Sequence, residues 1–330
     1  MIKSRLFEWY NIDTQKNLGI KKICPKPFDT ILIDRNGSCF ACDCQAWLPQ
    51  SIGNLQIQDL SEILNNKTHR ELQDSITDGS YRYCNENQCS WILSNTFDND
   101  KKIESRVKFL RLAIDNSCNL HCPSCRNKKI FIKSGAKLKM MMKLADKILK
   151  YLEQQKHKLT VHIGSDGDPF ASLVYRYFMR SVPDTDLFKY SILTNGLLLK
   201  KQFPKMQTVF NNMQVLNISI DGADKKVYDQ LRRGGDYDQL IENFHFIKEI
   251  KNYPVCLHMV VQNDNWHQML DMLDLCDRFN FDKVYFNKIE DWNTNLDHSK
   301  QDFYKKDEFK SLLAEVDKHV KSRTTTFSSI

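Results

Sequence analysis

Three cysteines stand close together in the stretch CNLHCPSC: Cys118, Cys122 and Cys125, separated by three and two residues. This puts three soft thiolate donors in one loop, directly after a strand-like run. A four-iron cluster normally takes four cysteine ligands, so three would leave one iron open to a substrate or cofactor. A structural zinc site is the alternative, with His121 as the fourth ligand. But His121 directly precedes Cys122, and sharing one tetrahedron would be sterically awkward. The spacing and the strand-then-loop context favour iron–sulfur chemistry.

Six further cysteines come earlier: Cys24, Cys39, Cys42, Cys44, Cys84 and Cys89. The run FACDC after a glycine turn, followed by a distant Cys-x4-Cys, is a second metal-site pattern, for which a zinc ribbon is the structural alternative. Nine of the eleven cysteines fall between positions 24 and 125, a clustering expected of metal ligands rather than of scattered core thiols. Cys256 and Cys276 read as ordinary half-buried thiols.

The elements that must position these groups show a change of rhythm. Residues 1–21 form a polar lead-in. Residues 22–95 form a small cysteine-rich module with a β-hairpin around Arg35-Asn36-Gly37 and a helix from about Leu60 to Leu72. Residues 96–106 read as a linker. From 107 to 292, strand-like runs at 108–115, 158–164, 189–194, 214–221, 255–261 and 283–288 alternate with helical patterns. A helical extension at 293–322 and a disordered tail at 323–330 complete the expectation. Six β/α repeats imply an α/β fold with a parallel sheet. Both a partial TIM-type barrel, (β/α)6, and an open doubly wound sheet fit that count. No glycine-rich phosphate fingerprint follows the first long strand, which lowers the dinucleotide-binding reading. Several strands alternate apolar and polar, as Leu216, Ile218 and Ile220 do against Asn217, Ser219 and Asp221. A strand in a two-sided core is usually apolar on both faces, so this alternation suits a barrel with an occupied interior.

Through these motifs the chain resembles the radical S-adenosylmethionine (SAM) superfamily. The Cys loop matches its Cys-x3-Cys-x2-Cys motif, and the likeness extends over 107–292. The family's Gly-Gly-Glu-Pro-like segment, which meets the amino group of SAM, corresponds to Asp166-Gly167-Asp168-Pro169, departing at the first glycine and shortening Glu to Asp. Thr194-Asn195-Gly196 follows the third strand, Ser219-Ile220-Asp221-Gly222 ends the fourth, and Leu231-Arg232-Arg233-Gly234-Gly235 closes the next helix. The position before the last loop cysteine, often aromatic, is Ser124. The resemblance implies Cys118, Cys122 and Cys125 as catalytic cluster ligands. It implies a SAM-binding set of Asp166, Gly167, Asp168, Asn195, Ser219, Asp221 and Arg232, with Ser219 and Arg232 at the polar end. The implied reaction is reductive cleavage of SAM to a 5′-deoxyadenosyl radical that takes hydrogen from a substrate. A reductant such as flavodoxin or ferredoxin would supply the electron.

The module at 22–95 resembles the SPASM/twitch auxiliary-cluster domains of that superfamily, including Ile52-Gly53-Asn54-Leu55. Such domains usually follow the barrel; here the module comes first. The resemblance implies one auxiliary 4Fe–4S cluster on Cys24, Cys42, Cys84 and Cys89, with Cys39 and Cys44 as substitutes. It also implies a peptide or protein substrate, with a small molecule or RNA as alternatives. A non-catalytic iron–sulfur protein is the reading from another class, and the polar inner face argues against it.

Composition bounds the rest. The 330 residues are 41% apolar and 27% charged, enough for a sizeable core. No apolar run has the length of a membrane span, and the first residues lack a secretory pattern, so a cytoplasmic protein without membrane partners is expected. The formal charge of +7 is local: residues 126–158 hold 11 Lys and Arg against two acidic residues. On the helix there, Lys139, Lys143, Lys147 and Lys150 share one side; Met141, Leu144, Ile148 and Leu152 share the other. A solvated outer face is the favoured reading, a dock for RNA or an acidic peptide the alternative. His162 and His258 fall on inward strand faces as substrate-contact candidates or hydrogen-bonded core residues. Asp221 could also accept a proton or cap a turn.

Overall fold

The computed structural model describes residues 15–94, 104–289, 294, 296–297, 300–321 and 326–328. Most of the lead-in and linker therefore lie outside the described residues. The chain divides into two compact units. The first holds residues 1–116, 132–166 and 173–189; the second holds 117–131, 167–172 and 190–330.

In the first unit the hairpin forms as expected. Strand β1 (Thr30–Asp34) pairs antiparallel with β2 (Ser38–Phe40), which pairs with the short β3 (Gly53–Asn54). Gly37 supplies the turn with a φ of +79°, a conformation glycine adopts without strain. Strand β1 also pairs in parallel with β4 (Phe109–Ala113), Leu32 opposite Arg111, and β4 pairs in parallel with β5 (Leu159–Ile163). The cysteine-rich module is thus hydrogen-bonded into the sheet that contains the first two barrel strands.

The helix expected over Leu60–Leu72 is instead two helices, Leu60–Leu64 and Lys67–Thr77. Asn66 breaks the run: its side chain accepts the His69 amide and caps the second helix. The long helix Gly135–Gln154 buries Met141, Leu144, Ile148 and Leu152. Its basic side is not wholly a solvated face. Lys147 donates to the Gln58 carbonyl at 2.8 Å, and Lys147 and Lys150 both pair with Asp59. These two lysines hold the Asp59 carboxyl below its ordinary range.

In the second unit β6 (Phe188–Thr194, most of it here), β7 (Met213–Ser219), β8 (Val255–Val261) and β9 (Lys283–Lys288) run parallel in sequence order. Helices Lys225–Leu231, Tyr237–Ile250 and Met269–Arg278 connect them. The core includes Leu216, Ile218, Leu257 and Met259, with Phe244 edge-on to Phe279. Asn217, Ser219 and His258 stay half-buried on the opposite face. Cys256 and Cys276 are buried rather than half-buried. The tail expected to be disordered contributes β10 (Thr326–Ser328), parallel to β9 with Phe327 opposite Val284. Residues 322–325 and 329–330 lie outside the described set. Among the described residues no helix is long and apolar enough to cross a membrane.

Candidate active site

The loop after β4 is pinned by backbone bonds. Cys118 N–H donates to the Ile130 carbonyl at 2.8 Å, and Cys125 and Arg126 N–H both donate to the Cys122 carbonyl. His121 N–H donates to the Arg233 carbonyl, tying the loop to the Arg232–Gly235 turn. Cys118 and Cys122 are buried and Cys125 is exposed. Gly234, at φ +84°, lies so close that a Cβ would stand 2.6 Å from Lys129 Cε and 3.2 Å from His121 Nδ1.

Each sulfur receives an N–H donor. Leu120 N and Asn195 Nδ2 approach Cys118 Sγ at 3.4 and 3.9 Å; Arg126 Nε reaches Cys125 Sγ at 3.4 Å; Arg232 Nη1 reaches Cys122 Sγ at 4.0 Å. Burial pushes the Cys118 thiol up to about 12, with Asp168 adding to the rise. Burial likewise raises Cys122, and Arg232 offsets part of that rise. Such thiols ionise when a bound cation compensates the charge, and donors aimed at sulfur stabilise the thiolates so formed. The residues fit a cluster bound through three thiolates.

Capacity for a polar ligand also remains beside it. Among the described residues the hydroxyl of fully buried Tyr228 and Nδ1 of His121 have no hydrogen-bond partner. Arg232 Nε lies 2.8 Å from Asp221 Oδ2. Burial opposes the guanidinium charge, but Asp221 and then Cys122 hold its pKa above the ordinary value. These groups fit the amino-acid end of a SAM-like molecule, which needs charged and hydrogen-bonding partners together.

The remaining residues singled out by motif fall into distinct places. Asn195 joins the loop, its Nδ2 also donating to Asn119 Oδ1 at 2.9 Å. Asp168 is buried and saturated. Its Oδ2 accepts from Thr194 Oγ1 and Asn195 N, and its Oδ1 from Phe170 N and Ala171 N, at 2.7 to 3.1 Å. It holds two strand-end turns together and has no lone pair left for a ligand. Asp166 pairs with Arg35 at 2.6 Å in the first unit. Gly167, at φ +79°, makes the turn between them. Ser219 sits opposite His258 in the β7–β8 register. Asp221 accepts the Val260 amide besides meeting Arg232. His258 donates through Nε2 to Asn217 Oδ1 and stacks on Tyr285 at 4.6 Å. Motif reading gave no role to Asn119, Arg126 or Tyr228. Their signal was position: two lie in or beside the Cys loop, and one lies a helical turn before Arg232.

In the first unit, Cys24, Cys42, Cys84 and Cys89 form one group: Cys84 feels the charge of the other three, Cys42 that of Cys24 and Cys89, and Cys24 that of Cys89. Burial pushes Cys24 up to about 12 and raises Cys42 and Cys84 well above the ordinary thiol value. Cys39 stands apart, its thiol directed at the Gly37 carbonyl and its nearest charge Asp34. Cys44 is half-buried, and its amide faces Cys42. Among the described residues no three His, Cys, Asp or Glu side chains are drawn tightly enough for a single metal ion. Four thiols around a wider space fit a multi-iron cluster, whose ligands sit on separate irons.

Comparison with known proteins follows the same division. A family model described as the radical SAM superfamily matches residues 113–276. A SPASM model, described as an iron–sulfur cluster-binding domain, matches residues 24–90. A probable GTP 3′,8-cyclase of Methanococcus maripaludis is 23% identical over 170 residues, 52% of this chain and 55% of that protein. A GTP 3′,8-cyclase of Staphylococcus carnosus is 25% identical over 225 residues, 65% of this chain and 63% of that protein. The chain spans about half the length of the first curated relatives it matches. The crystal structure of Streptococcus suis SuiB is similar in fold, with a TM-score of 0.51 at 16% identity over 82% of this chain and 58% of that one. The fold is α/β with a parallel sheet, of partial TIM-barrel type.

Proposed function

This chain belongs to the radical SAM superfamily and carries a SPASM iron–sulfur domain ahead of its β/α core, and we propose that it cleaves SAM reductively at a cluster held by Cys118, Cys122 and Cys125. Cys118, Cys122 and Cys125 would hold a 4Fe–4S cluster that, when bound, would supply the electron for breaking a sulfur–carbon bond of SAM to methionine and a 5′-deoxyadenosyl radical able to take a hydrogen atom from substrate. The chain's residues hold and orient. Leu120 N, Asn195, Arg126 and Arg232 donate to the cysteine sulfurs. Arg232, fixed by Asp221, and Tyr228 face the amino-acid end of SAM, with Ser219 on the neighbouring strand end. Asp168 keeps the Thr194-Asn195 turn in place. Cys24, Cys42, Cys84 and Cys89 hold an auxiliary cluster. The convergence of N–H donors on all three loop sulfurs carries this reading.

The substrate is a peptide or protein, the class that the resemblance to SPASM/twitch auxiliary-cluster enzymes implies. A small molecule is the second reading, favoured by the relatives named GTP 3′,8-cyclase. RNA docking is less supported, because Lys147 and Lys150 are engaged by Asp59. A low-potential donor such as flavodoxin or ferredoxin supplies the electron. The test is anaerobic reconstitution, then SAM and a strong reductant; a fully iron-loaded sample that forms no 5′-deoxyadenosine overturns the proposal.

A further inference from the structure

A second polar cluster lies within the first unit. Arg111 on β4 stands directly opposite His162 on β5, and Phe109 precedes them on the same face opposite Thr160. The Asp43 carboxylate, between Cys42 and Cys44, meets two cations: Lys26 Nζ at 2.5 Å and Arg111 Nη1 at 3.3 Å. Lys26 also lies 5.4 Å from the Phe109 ring centre and 5.6 Å from that of Trp91. The three charged side chains are only 18%, 31% and 19% exposed for Lys26, Arg111 and Asp43.

The Asp29 carboxylate also feels Lys26, so the unfilled group is the Arg111 edge: among the described residues Arg111 Nε is buried with no acceptor. A buried charged donor left unmade is costly, so an unfilled guanidinium edge marks a place for a ligand. Among the described residues no hydrogen bond reaches the His162 ring, which touches Phe109 at 6.0 Å. Burial first, then the Arg111 charge, pushes His162 down to about 4, so it is a neutral imidazole beside the cations.

We propose that Arg111 and Lys26 bind a carboxylate of the substrate, with His162 as a further hydrogen-bond partner, beside the auxiliary cysteines Cys24 and Cys42. The guanidinium edge matches a planar carboxylate. Asp43 and the thiolates of Cys24 and Cys42 lie on the same side and oppose a second negative charge, which favours a monoanion over a phosphate dianion. The site deepens the substrate reading above and rests on it. It selects substrates with an acidic side chain or a free carboxyl terminus.

The test uses the full reconstituted chain and titration calorimetry. The probes are acetyl-glutamate N-methylamide for a side-chain carboxylate, acetyl-alanine for a terminal one, acetyl-glutamine N-methylamide as the neutral control, and inorganic phosphate. At least one carboxylate probe should bind and the glutamine analogue should not. Arg111→Gln should weaken binding about tenfold or more, Lys26→Met should weaken it too, and Asp43→Asn should tighten it by removing the internal competitor. Iron content reports whether each variant keeps its clusters. The opposite response to Asp43→Asn separates binding from a merely structural role. Unchanged affinity in Arg111→Gln, tighter binding of phosphate than of either carboxylate, or no binding of any probe would overturn the assignment. SAM cleavage by the wild-type protein is measured in parallel, so a failure of the enzymatic reading is seen separately.

Discussion

Arg232 and Asp221 form an ion pair, Nε to Oδ2 at 2.8 Å, with 11% and 2% of their side chains exposed. A pair this buried is worth little by comparison with an apolar alternative, yet breaking it strands a charge at a cost of about 3–5 kcal/mol. Asp221→Asn should therefore lower the thermal midpoint sharply and weaken SAM binding. Arg232→Lys should keep charge but lose the fork that spans Asp221 and Cys122. Calorimetric melting with and without SAM checks both; an Asp221→Asn variant as stable as wild type would contradict the pairing.

Cys39 and Cys84 should part company in iron analysis. Cys84 belongs to the mutually interacting thiols and Cys39 does not. Cys84→Ala should lose about four iron atoms per chain, and Cys39→Ala none. Alanine at Cys118, Cys122 and Cys125 together should abolish 5′-deoxyadenosine formation yet leave the auxiliary iron. Equal iron loss in the Cys39 and Cys84 variants would refute the ligand set.

Asp168→Asn should be destabilising although nearly isosteric. An amide offers one acceptor oxygen where the carboxylate offers two, so the Phe170 and Ala171 amides or the Thr194 and Asn195 donors lose their partner. The expected loss is about 1–3 kcal/mol, read from urea unfolding. Wild-type stability would contradict the saturated acceptor.

His162 and His258 set an acid limit. Burial pushes both down to about 4, below the ordinary 6.5, with Arg111 assisting at the first and Arg232 at the second. The folded chain then binds fewer protons than the unfolded chain between about pH 6.5 and 4. The stabilisation is complete above 6.5 and is lost on acidification through that window. At pH 5 each histidine should cost about 2 kcal/mol. His258→Gln should lose less thermal stability than wild type between pH 7 and pH 5; parallel pH profiles would refute this.

Much of the frame was legible because its signals are local. Strand β7 announces itself by alternating Leu216 and Ile218 with Asn217 and Ser219, and the Cys loop by thiol spacing. The split at Asn65-Asn66 was written in two cap-forming residues, but helical periodicity on either side masked it. The threonines before Phe327 carried a strand signal that a short polar tail obscured. The hydrogen bonds of Asp168 were hidden for a different reason: its donors Thr194 and Asn195 are 26 and 27 positions away, and a motif reports identity without hydrogen-bond partners. The meeting of Lys26, Asp43 and Arg111 is likewise set by the pairing of β1 with β4, which no local pattern encodes.

That β1–β4 pairing also bears on how the chain survives its own synthesis. An unpaired strand edge is a template for joining another chain. Strand β4 has β5 on one side and β1 on the other, so neither edge is open. Because β1 precedes β4 in the chain, the ribosome delivers the guard before the strand it protects. Chains with the module after the core would wait longer for such cover. Deleting residues 22–95 should therefore do more than remove auxiliary iron: it should leave the β1-side edge of β4 open and send the remainder into aggregates.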